Sequence, residues 1–264
     1  MTLERFDVDG PVGKLAAYDT GPRGRGLPVV LVHGINMNGH VWDDLVEELG
    51  DRHTVALDLR GHGDSVKTGP YDANAYADDV LAVMDARGIE RAHLVGASFG
   101  GPVVCALAAR APGRVASVTA IGSAVTAGDG VDIDGGIAAM RQVGARDFFT
   151  GFMGQASFAP GTDPALVEAA AGAAAAGRDL DTIEAVTRTA FSADASDVVA
   201  KVEAPALVLT GEHDMTCPVP AGKQLAAALG TRLQVLSGRG HMAMVEAPKI
   251  VAAAIAPHLA AHDS

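Results

Sequence analysis

The chain has 264 residues, 48% of them hydrophobic and 20% charged, which suits one globular α/β unit carrying an insertion better than two independent domains. Its formal net charge of −12 argues against nucleic acid as a partner, since affinity for a polyanion rests on clustered Lys and Arg neutralising phosphates. The longest apolar runs, such as Val29–Val32, are too short to cross a bilayer, and Met1–Asp7 has neither a basic leader nor an apolar stretch, so no membrane partner and a cytoplasmic location are expected.

Lys14–Tyr18 and Pro28–His33 read as strands, the second a continuous apolar run of the kind buried on both faces, with the turn-rich Gly21–Gly26 between them. Val41, Leu45 and Leu49 predict a helix over His40–Leu49. Thr54–Leu57 is a short strand ending at Asp58, and a polar, glycine-rich turn follows over Arg60–Ser65. Tyr76, Val80, Val83 and Met84 mark a helix running to about Arg87. The strand Ala92–Val95, the helix-forming Pro102–Ala108 and the strand Val115–Ile121 come next. Strand and helix alternate throughout, which predicts an α/β fold with a parallel sheet covered by helices on both faces.

Strand signal then vanishes, and alanine dominates, most of all over Ala169–Ala176. Three or four helices are expected here, forming a helical cap over 123–195 inserted into a core of 1–122 and 196–264. Met140, Phe148, Phe149, Phe152, Met153, Phe158 and Phe191 supply its apolar mass. Sheet pattern resumes at Ala206–Thr210, followed by a helix over Lys223–Leu229, a strand over Leu233–Leu236 and a closing helix over Pro248–Leu259.

Between Val95 and Pro102 lies Gly96-Ala97-Ser98-Phe99-Gly100, a Gly-x-Ser-x-Gly turn between a strand and a helix. A serine on so sharp a turn is strained, and the flanking glycines spare it Cβ clashes. The Phe99 N–H and the start of the helix can stabilise negative charge beside its hydroxyl. Serine is a poor nucleophile at neutral pH and needs a base, itself oriented by an acid. His241 follows the strand Leu233–Leu236 in Ser-Gly-Arg-Gly-His, and Asp214 follows Ala206–Thr210 in Gly-Glu-His-Asp; Glu212 and Asp129 rival it as the acid. Both groups fall at the strand ends where open parallel sheets bind ligands. His33, His62 and Asp58 read as structural, and Trp42 as packing beneath the loop after His33. Cys105 and Cys217 are too few for a disulfide framework and lack metal-ligand spacing, so two free thiols, no metal and no cofactor are expected.

With His33-Gly34 after a strand, Asp58-Leu59-Arg60-Gly61-His62-Gly63-Asp64-Ser65, the turn at Ser98, and the order Ser98, Asp214, His241, the sequence resembles the α/β-hydrolase superfamily over nearly its whole length apart from the cap. Within it the chain is similar to small single-cap enzymes: bacterial carboxylesterases, 3-oxoadipate enol-lactonase-like hydrolases and cofactor-free haloperoxidases. The resemblance implies Ser98 as nucleophile, His241 as base, Asp214 as the acid that orients it, and an oxyanion hole from the N–H groups of Ile35 and Phe99. Dehalogenases and epoxide hydrolases of this architecture use an aspartate where this chain has Ser98, and epoxide hydrolases add cap tyrosines, absent here; acyl transfer to water remains.

A pocket under the cap is expected from Arg141, Phe149, Phe152, Met153, Met215 and Met242, with Arg141 or Arg146 placed to hold a substrate carboxylate. The expected function is a serine esterase or lactonase acting on a small or medium, largely apolar small-molecule substrate, as monomer or homodimer. A C–C bond hydrolase or thioesterase with the same triad and a small-molecule receptor with little turnover are the alternatives.

Overall fold

The computed structural model describes residues 3–126 and 131–263. Strands β1 (Glu4–Gly10), β2 (Gly13–Asp19), β3 (Val29–Val32), β4 (Thr54–Leu57), β5 (Ala92–Ala97), β6 (Val115–Ile121), β7 (Ala206–Gly211) and β8 (Leu233–Leu236) form one sheet in the order β1-β2-β4-β3-β5-β6-β7-β8. From β4 to β8 every pairing is parallel, while β1 and β2 join antiparallel at one edge. This is the helix-covered, mostly parallel sheet expected from the strand–helix alternation, and it fits the α/β-hydrolase fold that the resemblance implies.

Every residue of β3, β4, β5 and β6 is buried, because helices cover both faces of these strands. Successive side chains of β3 divide between two apolar clusters, as the two-residue period of a strand requires. Val30 and Val32 pack with α2 (Ala73–Ala86), α3 (Gly100–Arg110) and α9 (Val219–Ala228). Val29 and Leu31 pack with Trp42, α1 (Asp43–Glu48) and α11 (Pro248–Ala261).

Three local expectations change. The edge strand β1 carries Glu4, Arg5, Asp7 and Asp9 and buries only Val8, so its apolar alternation is confined to Phe6 and Val8, and its charges suit an unpaired edge. The helix expected over His40–Leu49 divides into a 3₁₀ turn, Gly39–Trp42, and α1; Asn38 caps the turn by accepting the His40 N–H. Helix α9 begins at Val219, ahead of Lys223, because Pro220 occupies a first-turn position where no N–H is needed.

Between β6 and β7 the chain leaves the sheet. It runs through α4 (Ile133–Val143), α5 (Ala145–Phe152), a π-helical turn over Met153–Ser157, α6 (Pro164–Ala175), α7 (Leu180–Phe191) and α8 (Ser196–Val199). Met140, Phe149, Met153 and Phe158 join the apolar cluster that contains Trp42, so these helices rest on the sheet's main body.

Candidate active site

Strand β5 ends at Ala97 and α3 begins at Gly100, leaving Ser98 on the turn with φ of 52°. Among the described residues only Asn36 and Ser98 hold a positive φ without being glycine, and both line one cavity. Strain of this kind, of order 1–3 kcal/mol per residue, survives where surrounding structure enforces it. Close approach enforces it here. A Cβ at Gly96 would lie 2.2 Å from the Gly100 carbonyl oxygen, and one at Gly100 would lie 2.3 Å from that of Val32. The Ser98 N–H donates to the Ile121 carbonyl at 2.8 Å, fixing the turn to β6.

Asp214 lies in the loop after β7 and His241 in the loop after β8, and the two meet. His241 Nδ1 is 2.9 Å from Asp214 Oδ2 and 3.1 Å from Oδ1, with both side chains at most 4% exposed. Asp214 Oδ1 also accepts the backbone N–H groups of Thr216 at 2.9 Å and Cys217 at 2.7 Å. A carboxylate with three donors stays an acceptor, so His241 Nδ1 carries the proton of that bond and Nε2 is left to act as a base. Glu212, the rival acid, is exposed and takes the Ser237 hydroxyl and the Gly238 N–H instead. Asp129 lies outside the described residues.

Ser98 and His241 face a cavity of about 330 Å³ that Ile35, Phe99, Phe149, Phe152, Met153, Met215 and Met242 also line. Arg141 does not belong to it. On the last turn of α4 it is exposed and bound to Asp181 at 2.5 Å and Glu184 at 2.6 Å on α7, since carboxylates a helix away satisfy it better than an apolar cavity would. Arg146 is likewise exposed, its guanidinium lying over Gly172.

The loop bearing Ile35 passes close beside Ser98, for a Cβ at Gly34 would lie 2.6 Å from Ser98 Cβ. Two buried histidines hold that loop. The Leu59 N–H donates to His33 Nε2 at 3.0 Å, so His33 Nδ1 keeps the proton and donates to the Gly34 carbonyl at 2.6 Å. The Asn36 N–H donates to His62 Nε2 at 3.2 Å, and His62 Nδ1 donates to the Arg60 carbonyl. Burial drives the His33 pKa down to about 4 and that of His62 well below its usual value, so both rings are neutral braces. Asp58 completes the frame, accepting the N–H groups of Gly39 and Asp64 and the Tyr18 hydroxyl.

Residues 29–254 match the model of the alpha/beta hydrolase family. The chain is 34% identical over 226 residues, 81% of its own length and 85% of the other's, to a pimeloyl-[acyl-carrier protein] methyl ester esterase of Neisseria meningitidis serogroup B. Over 107 residues, 38% of each chain, it is 36% identical to a 2-hydroxymuconate semialdehyde hydrolase of a Pseudomonas species. An enol-lactonase from Burkholderia xenovorans superposes with a TM-score of 0.87 across 97% of this chain and all of that one, at 24% identity, a likeness of fold.

The chain is an α/β hydrolase. Within this hydrolase Asn36, Arg178, Gly122 and Glu246, which the sequence did not single out, also shape the site. The buried Asn36 side chain accepts from Arg178 at 3.0 Å and donates to Thr187 at 3.2 Å, so the loop beside Ser98 is tied to α7 and the loop before it. Burial lowers the Arg178 pKa to about 10, which leaves it cationic. Gly122, at φ 54°, is needed because a Cβ there would meet Asp214 Oδ2 at 3.0 Å and His241 Nδ1 at 3.1 Å. Glu246 accepts the N–H of Gly240 at 2.6 Å and that of Ala159, joining the His241 loop to the end of the π-helical turn. Cys217 lines the cavity, and burial followed by the Asp214 charge raises its pKa, so the thiol stays protonated. Among the described residues no group of His, Cys, Asp and Glu is arranged to hold a metal ion, and no helix is long and apolar enough to cross a membrane.

Proposed function

We propose that this α/β hydrolase cleaves carboxylic esters or lactones of small or medium, largely apolar acids through a serine acyl-enzyme. The observation that carries the reading is the buried His241–Asp214 pair facing the same apolar cavity as the strained Ser98. Ser98 Oγ attacks the acyl carbon as His241 Nε2 takes its proton. The N–H groups of Ile35 and Phe99 hold the oxyanion, and each such donor contributes about 3 kcal/mol to lowering the barrier. The protonated imidazole, stabilised by Asp214, then gives its proton to the leaving alcohol, and water repeats the sequence to free the acid and restore Ser98.

The helices over 123–195 act as a cap, since Phe149, Phe152 and Met153 roof the cavity. Esters rank above C–C substrates because the likeness to the methyl ester esterase spans most of both chains, whereas that to the semialdehyde hydrolase covers a little over a third. The test is pre-steady-state hydrolysis of p-nitrophenyl butyrate by wild type and Ser98→Ala. Wild type gives a burst of p-nitrophenol with one equivalent per chain, and Ser98→Ala loses turnover by roughly a thousandfold or more while melting at the same temperature. Turnover retained in Ser98→Ala would overturn the mechanism.

A further inference from the structure

A second cavity, also about 330 Å³, lies between the segment 36–44 and α6. It shares Asn36, Met37, Met153 and Met242 with the cavity at Ser98. Three of those four are methionines, each under 8% exposed, so the partition between the two spaces is, apart from Asn36, made of unbranched thioether chains, the apolar side chains that most readily change rotamer. The far wall comes from one stripe of α6: Leu166, Ala169, Ala170 and Ala173, at spacing i, i+3, i+4 and i+7. On a helix packed for stability such a stripe carries bulky side chains. Here three of the four are alanine, taken from the alanine-rich run of the sequence, and their smallness leaves the space open. The neighbouring stripe of α6, with Val167, Ala171 and Ala174 buried in the apolar cluster on which Leu166 and Ala170 also pack, already anchors the helix. Val41 and Val245 add apolar surface, and His40, Asp43 and Asp44 form a polar mouth.

We propose that this second cavity is a chain subsite, entered from Ser98 by moving the methionine partition, and that the preferred substrates are therefore esters with one extended hydrocarbon arm. The inference rests on the ester reading above. An ester held at Ser98 sends its longer arm between Met37, Met153 and Met242 into the hollow of α6, where each buried methylene improves binding roughly fourfold.

Ala169→Phe and Ala173→Phe fill the hollow from its far wall, and Ala169 is exposed enough to accept the ring without disturbing the fold. The quantity to measure is the ratio of kcat/KM for p-nitrophenyl decanoate to that for p-nitrophenyl butyrate, together with the same ratio for decyl and butyl acetate, so that a long acid arm and a long alcohol arm are told apart. In at least one series the ratio falls tenfold or more in both variants. Equal ratios in wild type and variants, in both series, would overturn the subsite. Calorimetric binding of methyl octanoate and methyl butyrate to chains also carrying Ser98→Ala separates the two readings. Length-dependent binding lost on filling the hollow, with no ester turned over by wild type, keeps the subsite and sinks the esterase. Turnover with binding indifferent to the hollow does the reverse.

Discussion

Asp214→Asn isolates the orienting role of the carboxylate from its structural one. Asp214 Oδ1 accepts two backbone N–H groups, from Thr216 and Cys217, while Oδ2 is the oxygen nearer to His241 Nδ1. An asparagine seated with its oxygen at the Oδ1 position keeps both backbone bonds and turns its NH₂ toward the imidazole. Two donors then face each other, so the ring must move its proton to Nε2, the nitrogen that has to receive the Ser98 proton. The expected loss in kcat is about 10,000-fold, or roughly 5 kcal/mol of barrier, with a stability change below about 2 kcal/mol because only the charge on two retained hydrogen bonds is lost. Asp214→Ala differs in the second respect. It strips both buried N–H groups of their acceptor at about 1–3 kcal/mol each, so the fold weakens as well. The assay is kcat for p-nitrophenyl butyrate from pH 6 to 9 alongside urea unfolding. Asp214→Asn retaining more than about a tenth of wild-type kcat would refute the assignment, and Glu212→Gln, bound only to Ser237 and Gly238, serves as the carboxylate control that leaves kcat unchanged.

Glu246→Gln leaves one acceptor for two N–H donors, those of Gly240 and Ala159, so the His241 loop loosens; a fall of about tenfold in kcat with KM within a factor of two is expected, and steady-state kinetics check it. Stability falls as pH drops from 6.5 toward 4, because the unfolded chain takes up protons that the buried rings of His33 and His62 refuse. For His33 alone the shift to about 4 is worth about 3 kcal/mol, His93 and His258 act in the same direction, and His40 opposes it; a urea midpoint no lower at pH 4.5 than at pH 7 would refute the neutral-brace reading. Arg141→Ala leaves ester kinetics unchanged, since its charge is consumed by Asp181 and Glu184 on α7; a KM rise for carboxylate-bearing esters alone would return Arg141 to the pocket.

The residues legible from sequence alone are those whose surroundings are local. Ser98 announces itself because the strand before it, the helix after it and the glycines that permit the turn are all within a few positions, and close approaches of 2.2 and 2.3 Å show why those glycines have no substitute. Asp214 and His241 follow from the ends of β7 and β8, since parallel strands deliver their loops to one edge. Strand β1 escaped notice because its apolar alternation is confined to Phe6 and Val8 among four charged residues. Glu246 and Asn36 escaped for another reason. Their importance lies in partners 87 and 151 residues away, Ala159 and Thr187, and no local pattern distinguishes either from an ordinary polar residue in a turn.

Arg141 shows the limit from the other side. A cap arginine near aromatic residues has the chemistry to hold a substrate carboxylate, but which face of α4 it occupies depends on what α7 presents to it, and α7 presents Asp181 and Glu184. The alanine run of α6 carries the converse lesson. Composition alone marks it as helix-forming and chemically silent, yet the arrangement of Ala169, Ala170 and Ala173 across a cavity from Met37, Met153 and Met242 turns that silence into volume. Side chains that are missing can bound a cavity as much as those present, which is why motifs place the proposed chemistry at Ser98 while the proposed chain subsite is legible only from the packing.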